Sequence, residues 1–183
     1  MRLLHMTDVH FLTPVRWGGA LGKRTLGLLN LYARGRRHYF DAAQVVPEAV
    51  RDALLHGPEL FCLTGDITAL SQEEEFLAAR RAFAPLLDNV PSVVVPGNHD
   101  VYTSGAVDED RFGKHFGAFS GGPSWPGCLR MGELDVVATN PCRRSLRAEG
   151  CFPDGAIASA EELVRAGREA GRAVVYLIHY PLL

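Results

Sequence analysis

Four short stretches of the chain place side chains that can bind metal ions directly after apolar runs. The first holds Asp8 and His10 in TDVH, and the second holds Asp66 in TGDIT. The third is GNHD at residues 97–100, and the last is His179. Carboxylate, imidazole and amide ligands together are typical of Mn²⁺, Fe, Zn²⁺ or Co²⁺, and they argue against calcium or a thiolate zinc site. These residues indicate a metal centre with nitrogen and oxygen ligands.

A centre of this kind has the chemistry needed to hydrolyse phosphate esters. A phosphoester resists attack because its anionic oxygens repel hydroxide. Two divalent ions roughly 3.5–4 Å apart neutralise that charge and lower the pKa of bound water from about 15.7 towards about 7, so that a metal-bound hydroxide becomes the nucleophile. Asp8 and His10 are two residues apart at a strand exit, so their side chains point to the same side and are expected to hold one metal.

The elements that must position these residues are predicted from hydrophobic patterning. Runs rich in β-branched and aliphatic residues predict buried strands at residues 2–6, 60–63, 92–95, 134–138 and 173–178. A helix is predicted through PEAVRDALLHG, with Pro47 in its first turn and Gly57 at its end. Capping boxes at 71–74 and 159–162 predict two further helix starts. Alternating strands and helices favour an α/β fold on a largely parallel sheet, whose ligands bind at the carboxyl ends of the strands.

Taken in order, these motifs resemble those of the calcineurin-like metallophosphoesterases. That family shares Asp-x-His, Gly-Asp, Gly-Asn-His-Asp/Glu, a strand-end His and a final Gly-His-x-His. This chain has TDVH at 7–10, TGDIT at 64–68, PGNHD at 96–100 and LIHYPL at 177–182. The resemblance spans nearly all of the chain, and GNHD is its most specific part. It implies a four-layer α/β/β/α sandwich, in which two packed sheets are flanked by helices and the metal site lies at one edge.

The resemblance also implies a ligand set for two divalent metal ions. Asp66 would bridge the two ions. Asp8 and His10 would hold one of them, and Asn98 and His179 would hold the other. Mn, Fe, Zn and Co all remain candidates for both positions.

Two residues of the GNHD motif receive catalytic roles by the same resemblance. His99 would not be a metal ligand; as general acid it would protonate the leaving-group oxygen, which is typically worth about 10²–10⁴ in rate. Asp100 would accept a hydrogen bond from the His99 ring, which would fix the tautomer of His99 and raise its pKa.

The chain departs from the family pattern at two places. Ala69 stands where the family often has a second acid. The sequence also reaches Leu183, shortly after His179, without the Gly-His-x-His motif that gives one ligand to each metal in the family. We therefore expect residues 1–183 to be a single, incomplete metallophosphoesterase domain, about the first two-thirds of it, truncated at the carboxyl end.

The resemblance implies a metal-dependent hydrolase of a phosphomonoester, phosphodiester or pyrophosphate bond. An alternative from a different class is a non-catalytic scaffold, or an inactive truncated remnant, of the same fold. That alternative would apply if the polypeptide ended at Leu183, since each metal would then lack one ligand.

Composition places few further limits on function. The 183 residues are 47% hydrophobic with a formal net charge of −2, which predicts one soluble domain and gives no general reason to expect nucleic acid or a membrane as partner. No run reaches the roughly 20 apolar residues that span a bilayer, and the N-terminus lacks the apolar middle of a signal peptide. Four cysteines without CxxC spacing favour a reducing cytoplasm, and a bridge between Cys142 and Cys151 is the less favoured alternative.

Residues 11–40 form a basic, amphiphilic insertion that contains no Asp or Glu. One interpretation is a helical hairpin over the sheet edge with solvated arginines. The other is a cap over the metal site that recruits a bulky or lipid-linked phosphate ester, with peripheral contact to the inner face of a membrane. A nucleic-acid surface is less favoured, because nothing here resembles a base-reading module.

Two further segments lie outside the motifs. Asn140, Arg143 and Arg144 follow the fourth predicted strand, where they are candidate phosphate contacts, although such residues are more often loop contacts with solvent. Residues 111–115 and the Gly- and Pro-rich stretch 117–127 predict an irregular loop.

Overall fold

The computed structural model describes residues 1–14, 41–145 and 149–180. Most of the basic insertion 11–40 lies outside these residues, so the predicted hairpin or cap, with its lipid or membrane contact, stays a prediction. The extent of the domain and its truncation also stay predictions. Among the described residues, none of the helices has the length and apolar character needed to cross a membrane.

Strands and helices alternate along the described chain. The strands are β1 (Leu3–Met6), β2 (Leu60–Thr64), β3 (Ser92–Val95), β4 (Gly127–Met131), β5 (Leu134–Ala138) and β6 (Ala173–Leu177). The helices are α1 (Ala42–Leu55), α2 (Glu73–Leu87), α3 (Ser104–Asp108), α4 (Arg111–Phe116) and α5 (Ala156–Glu169), with a short 3-10 helix at Gly117–Phe119. All five predicted strands are present to within one residue at each end.

The described strands form two sheets of three strands each. The first has the order β1-β2-β3 and is parallel throughout, with Leu3 opposite Leu60 and Phe61 opposite Ser92. The second has the order β4-β5-β6, in which β5 pairs antiparallel with β4 and parallel with β6. The turn between β4 and β5 contains Gly132 in the left-handed region at φ 56°, where glycine has no steric penalty.

The core sits between layers because alternate residues of a strand face opposite sides of its sheet. On β2, Leu60 and Cys62 face the second sheet and pack in the same cluster as Val136. Phe61 and Leu63 face the other way, into a cluster that also contains residues of α1 and α2. Helix α5 packs on β5 and β6. The order of layers is thus helices, sheet, sheet and helix, which confirms the predicted α/β/β/α sandwich.

Helix α1 begins earlier than predicted. It starts at Ala42, so Pro47 lies in its second turn and not in its first. The predicted end is confirmed, since Gly57 follows the helix in the left-handed region at φ 58° and its N–H donates to the Leu54 carbonyl at 3.1 Å.

The two predicted capping boxes are both misplaced. The box of α2 is formed by Gln72 and Glu75, one residue later than predicted, because the buried Glu75 carboxylate also accepts from the Leu70 N–H at 2.9 Å. Helix α5 starts after Gly155, which is left-handed at φ 79°, so Ser159 lies inside the helix. The start of α2 thus coincides with a contact that Glu75 makes outside the capping box, and the start of α5 follows the left-handed Gly155.

The prediction of an irregular loop was wrong for residues 111–115, which lie in α4, and for residues 117–119, which form the 3-10 helix. Tertiary contacts stabilise α4. The Nε2 atom of His115 lies 2.7 Å from Oε1 of Glu73 on α2, and the His115 ring stacks on Phe76. Arg111 donates to the Ser71 carbonyl at 2.8 Å. None of these partners is visible in the local sequence.

Candidate metal centre

The candidate ligands lie at the carboxyl ends of strands from both sheets. Asp8 and His10 follow β1, Asp66 follows β2, and His179 follows β6. The pairing between β1 and β2 continues past their ends, because the Asp8 N–H donates to the Gly65 carbonyl at 3.1 Å and the His10 N–H donates to the Asp66 carbonyl at 3.0 Å. These bonds hold the first two motifs side by side.

Three of the candidate ligands have an unusual backbone conformation. Asp8, His10 and Asp66 have φ angles of 55°, 51° and 50°. Residues other than glycine adopt this left-handed region rarely and at some energetic cost, and such residues cluster at functional sites. The conformation turns these side chains towards one another at the sheet edge.

Two glycines allow the motif loops to approach closely. Gly65 is left-handed at φ 83°, and a Cβ there would lie 2.6 Å from the Gly97 nitrogen and 2.7 Å from Nδ1 of His179. A Cβ on Gly97 would overlap the backbone nitrogen and Oδ1 of Asp66. Both positions therefore require glycine for the Asp66 carboxylate to reach its place.

The other four predicted ligands lie around Asp66. Its Oδ2 lies 3.8 Å from Nε2 of His10, and its Oδ1 lies 3.4 Å from Nε2 of His179. Oδ1 of Asp8 lies 3.9 Å from Nε2 of His10, and Oδ1 of Asn98 lies 3.3 Å from Nε2 of His179. The structure thus brings all five together, while their division between two metals stays a prediction.

Asp66 is common to two groups of potential ligand atoms. One group contains Asp8, Asp66 and His179, and the other contains His10, Asp66 and His99; within each group the ligand atoms lie within 4.8 Å of one another. His99 therefore lies close enough to bind a metal, although the family resemblance excludes it. Its assignment as a general acid stays a prediction.

The orientation of His179 fits a metal ligand. Its Nδ1 lies 2.9 Å from the carbonyl oxygen of Thr64, which can only accept, so Nδ1 carries a hydrogen and, in the neutral imidazole, Nε2 presents its lone pair. That lone pair faces Oδ1 of Asp66 and Oδ1 of Asn98. Three acceptor atoms placed in this way repel one another unless a positive charge lies among them, and a divalent cation would supply it.

The pKa of His10 also fits a role as a metal ligand. Burial lowers the pKa of His10, while the negative charge of Asp66 acts in the opposite direction. The lowered pKa favours the neutral imidazole at neutral pH, which is the form that binds metals. A hydrogen bond to the backbone of Thr68 orients the ring.

His99 is held by contacts on several sides. Its backbone N–H donates to Oδ1 of Asp66 at 2.8 Å, and its ring Nδ1 lies 2.7 Å from the Ala69 carbonyl oxygen. The ring stacks on Tyr102 with centroids 5.6 Å apart and meets the His10 ring edge-on at 4.9 Å. Since Nδ1 must donate to the carbonyl, Nε2 is the nitrogen left to exchange a proton.

The predicted hydrogen bond between the His99 ring and Asp100 is wrong, because the ring pairs with the Ala69 carbonyl instead. The Asp100 carboxylate accepts from the backbone N–H groups of Ile67, Thr68 and Gly97 at 3.2, 2.8 and 2.8 Å, and also from the Thr68 hydroxyl. It is 1% exposed. Burial, followed by the charge of Asp66, raises the pKa of Asp100 to about 6. Asp100 thus joins the two glycine loops and is a positioning residue.

Sequence reasoning also missed three residues that orient the imidazoles through their backbones. Thr64, Thr68 and Ala69 supply the hydrogen-bond partners of His179, His10 and His99, respectively. Backbone groups leave no signature in the residue type. The only available signal was position, since these residues flank the Gly65-Asp66 pair at the exit of β2.

The family model for calcineurin-like phosphoesterases matches residues 1–169. The chain belongs to the calcineurin-like phosphoesterase family. Comparison with curated proteins gives no match. The matched residues include the first three motifs of this phosphoesterase, whereas His179 lies beyond them and is placed by the structure. The family supports a metal-dependent phosphoester hydrolase in general, and the donor atoms around Asp66 fit that chemistry.

Proposed function

We propose that this phosphoesterase hydrolyses a phosphomonoester, phosphodiester or pyrophosphate bond at a dinuclear metal centre. The proposed ligands are Asp8, His10, Asp66, Asn98 and His179. The observation that carries the proposal is the Asp66 carboxylate, whose two oxygens face imidazoles from different strand exits. A carboxylate placed in this way is suited to bridge two ions.

The side chains prepare the site before any substrate binds. The Thr64 carbonyl engages Nδ1 of His179 and so holds the ring with Nε2 directed at the centre. The lowered pKa of His10 keeps that imidazole neutral. When bound, divalent ions such as Mn²⁺, Fe, Zn²⁺ or Co²⁺ neutralise the charge of the phosphoryl oxygens and lower the pKa of water.

His99 is the proposed proton donor. With Nδ1 donating to Ala69, the protonated ring offers Nε2–H to the leaving-group oxygen as the bond from phosphorus to that oxygen breaks. Stacking on Tyr102 fixes the plane of the ring and hence the direction in which Nε2 points. The donor is therefore oriented by the Ala69 carbonyl and the Tyr102 ring.

A panel of phosphate esters tests the proposed function. The full chain is assayed with a phosphomonoester, a phosphodiester and a pyrophosphate, first with Mn²⁺ added and then after treatment with a chelator. We expect turnover of at least one ester class, loss of that turnover on chelation and recovery when Mn²⁺ is restored. Metal binding without turnover of any ester would overturn the proposal and favour the non-catalytic scaffold.

A further inference from the structure

The segment after β5 returns to the metal centre. The Cys142 thiol donates to the Pro96 carbonyl at 3.2 Å, and Pro96 directly precedes the glycine of the GNHD loop. Burial raises the pKa of this thiol, and the charges of Asp100 and Asp66 add to the effect. Cys142 thus lies within the electrostatic reach of the carboxylates at the centre.

The same segment is also held against the exit of β6. The Cys151 N–H donates to the Pro141 carbonyl at 2.8 Å, which closes the base of the loop. A Cβ on Gly150 would lie 2.7 Å from Cδ2 of Tyr180, so the loop packs tightly on that ring. Tyr180 in turn meets the His179 ring edge-on, with centroids 5.2 Å apart. The loop is therefore seated on residues that adjoin a metal ligand.

This loop carries two exposed arginines, Arg143 and Arg144. Arg143 and Arg144 follow Cys142 directly, both are exposed, and neither forms an ion pair or hydrogen bond with any residue in the described parts of the chain. Most other described arginines pair with a carboxylate: these are Arg51, Arg80, Arg111, Arg130, Arg165 and Arg172. Two adjacent guanidinium groups, without an ion pair among the described residues, thus directly follow a residue that contacts the GNHD loop, and they form a local concentration of positive charge.

We propose that Arg143 and Arg144 form an anion subsite that binds a second anionic group of the substrate. The proposal rests on the proposed function, because it assumes that the scissile phosphoryl group is bound at the metal centre. Guanidinium groups bind phosphate and carboxylate through paired N–H donors. A patch of this charge would also steer an anionic substrate towards the site. The substrate class is therefore a phosphoester that carries a further phosphate or carboxylate.

Two non-hydrolysable probes test the subsite by direct binding. Propylphosphonate carries one anionic group, and propane-1,3-diphosphonate carries two on the same carbon chain. Their affinities are measured by titration calorimetry on the Mn²⁺-loaded full chain at constant free Mn²⁺. We expect the diphosphonate to bind at least about tenfold more tightly than the monophosphonate, since paired guanidinium contacts are among the stronger polar interactions.

The double variant R143Q/R144Q removes the patch, and R81Q/R168Q serves as the matched control. Arg81 on α2 and Arg168 on α5 are also exposed and without an ion pair among the described residues, so the control changes net charge by the same amount. We expect the preference for the diphosphonate to fall to within about twofold in R143Q/R144Q and to persist in the control. Circular dichroism checks that both variants remain folded.

The outcomes separate this inference from the proposed function. Equal wild-type affinity for the two probes, or a preference that survives in R143Q/R144Q, overturns the subsite. Hydrolysis in the ester panel without any diphosphonate preference overturns the subsite alone. An arginine-dependent preference in a chain that hydrolyses no ester overturns the proposed function and leaves an anion site.

Discussion

The Nε2 atom of His179 lies 3.4 Å from Oδ1 of Asp66, and Nε2 of His10 lies 3.8 Å from Oδ2 of the same carboxylate. His10 follows a strand of the first sheet, and His179 follows a strand of the second. One carboxylate therefore links the two halves of the sandwich at its edge. Removing or moving this carboxylate should lower both metal binding and turnover. Changes to His99 or Asp100 should instead affect proton donation or stability separately.

Gly97→Ala should displace Asp66 without removing any ligand. The added Cβ would overlap the Asp66 backbone, and overpacking of this kind typically costs about 1–3 kcal/mol. We expect metal content and turnover to fall together, as measured by elemental analysis and the ester assay. Gly117→Ala is the control, because a Cβ there meets nothing within 4 Å. Normal metal content in Gly97→Ala would contradict the close approach of the two loops.

His99→Gln should separate proton donation from metal binding. We expect metal content to remain and turnover to fall by about 10²–10⁴ for an alkyl ester, which needs a proton on its leaving oxygen, but much less for a p-nitrophenyl ester. His56→Gln is the control, since His56 is exposed at the end of α1. An equal loss for both esters would argue against the acid role. Loss of a metal ion would instead identify His99 as a ligand.

Asp100→Asn should act on stability. The wild-type carboxylate faces only donors, from Ile67, Thr68 and Gly97, and the amide group of asparagine would bring a further donor among them. We expect the free energy of unfolding to drop by about 1–3 kcal/mol; because the pKa of Asp100 is raised to about 6, the wild type loses stability as pH rises through that value and asparagine does not, so the drop should be smaller at pH 8 than at pH 5. Denaturant titration measures this. Unchanged stability with a shifted pH profile of turnover would show that Asp100 tunes His99 after all.

Asp135→Asn should produce a pH-dependent loss of stability away from the metal centre. Asp135 is 1% exposed, and a hydrogen bond from Arg172, supported by Arg130, holds its pKa below the ordinary value. A lowered folded-state pKa contributes stability above the unfolded pKa of about 3.9, and this contribution is lost as pH falls through the folded pKa.

Unfolding of the wild type and of Asp135→Asn is therefore compared across a range of pH. We expect a difference of roughly 2–3 kcal/mol at pH 7 that shrinks below about pH 4, as the wild-type carboxyl becomes protonated. Asp52→Asn, at an exposed position on α1, should show little difference at any pH. A difference that stays constant down to pH 2 would show that the ion pairs are not its source.

Much of the fold was predictable because buried strands have a distinct pattern. The run from Leu60 to Thr64 is apolar on both faces since each face packs on a different layer, and β3 and β5 behave in the same way. Strand β4 was missed. Its sequence GCLRM contains Arg130 and a leading glycine, and it becomes a strand by pairing with β5 in a hairpin. Pairing partners of this kind are not encoded locally.

The candidate site was likewise predictable from the sequence only in part. The ligand types at Asp8, Asp66 and His179 were visible because each follows an apolar run at a strand exit. The role of Asp100 was predicted wrongly, because the direction of its side chain depends on how the loop at residues 97–100 folds next to Asp66. Contacts made through backbone groups, such as the Ala69 carbonyl on His99, depend on the assembled fold and not on residue type.

The number of metal ions bound per chain tests the central claim most directly. Wild type and Asp66→Asn, which preserves an oxygen acceptor for the His99 N–H, are dialysed against Mn²⁺ and analysed for metal and protein. Asp52→Asn is treated in parallel as a control. If Asp66 bridges the centre, the wild type and the control bind two ions per chain and Asp66→Asn loses both. Two ions retained by a folded Asp66→Asn would contradict the bridging carboxylate and the dinuclear centre built on it.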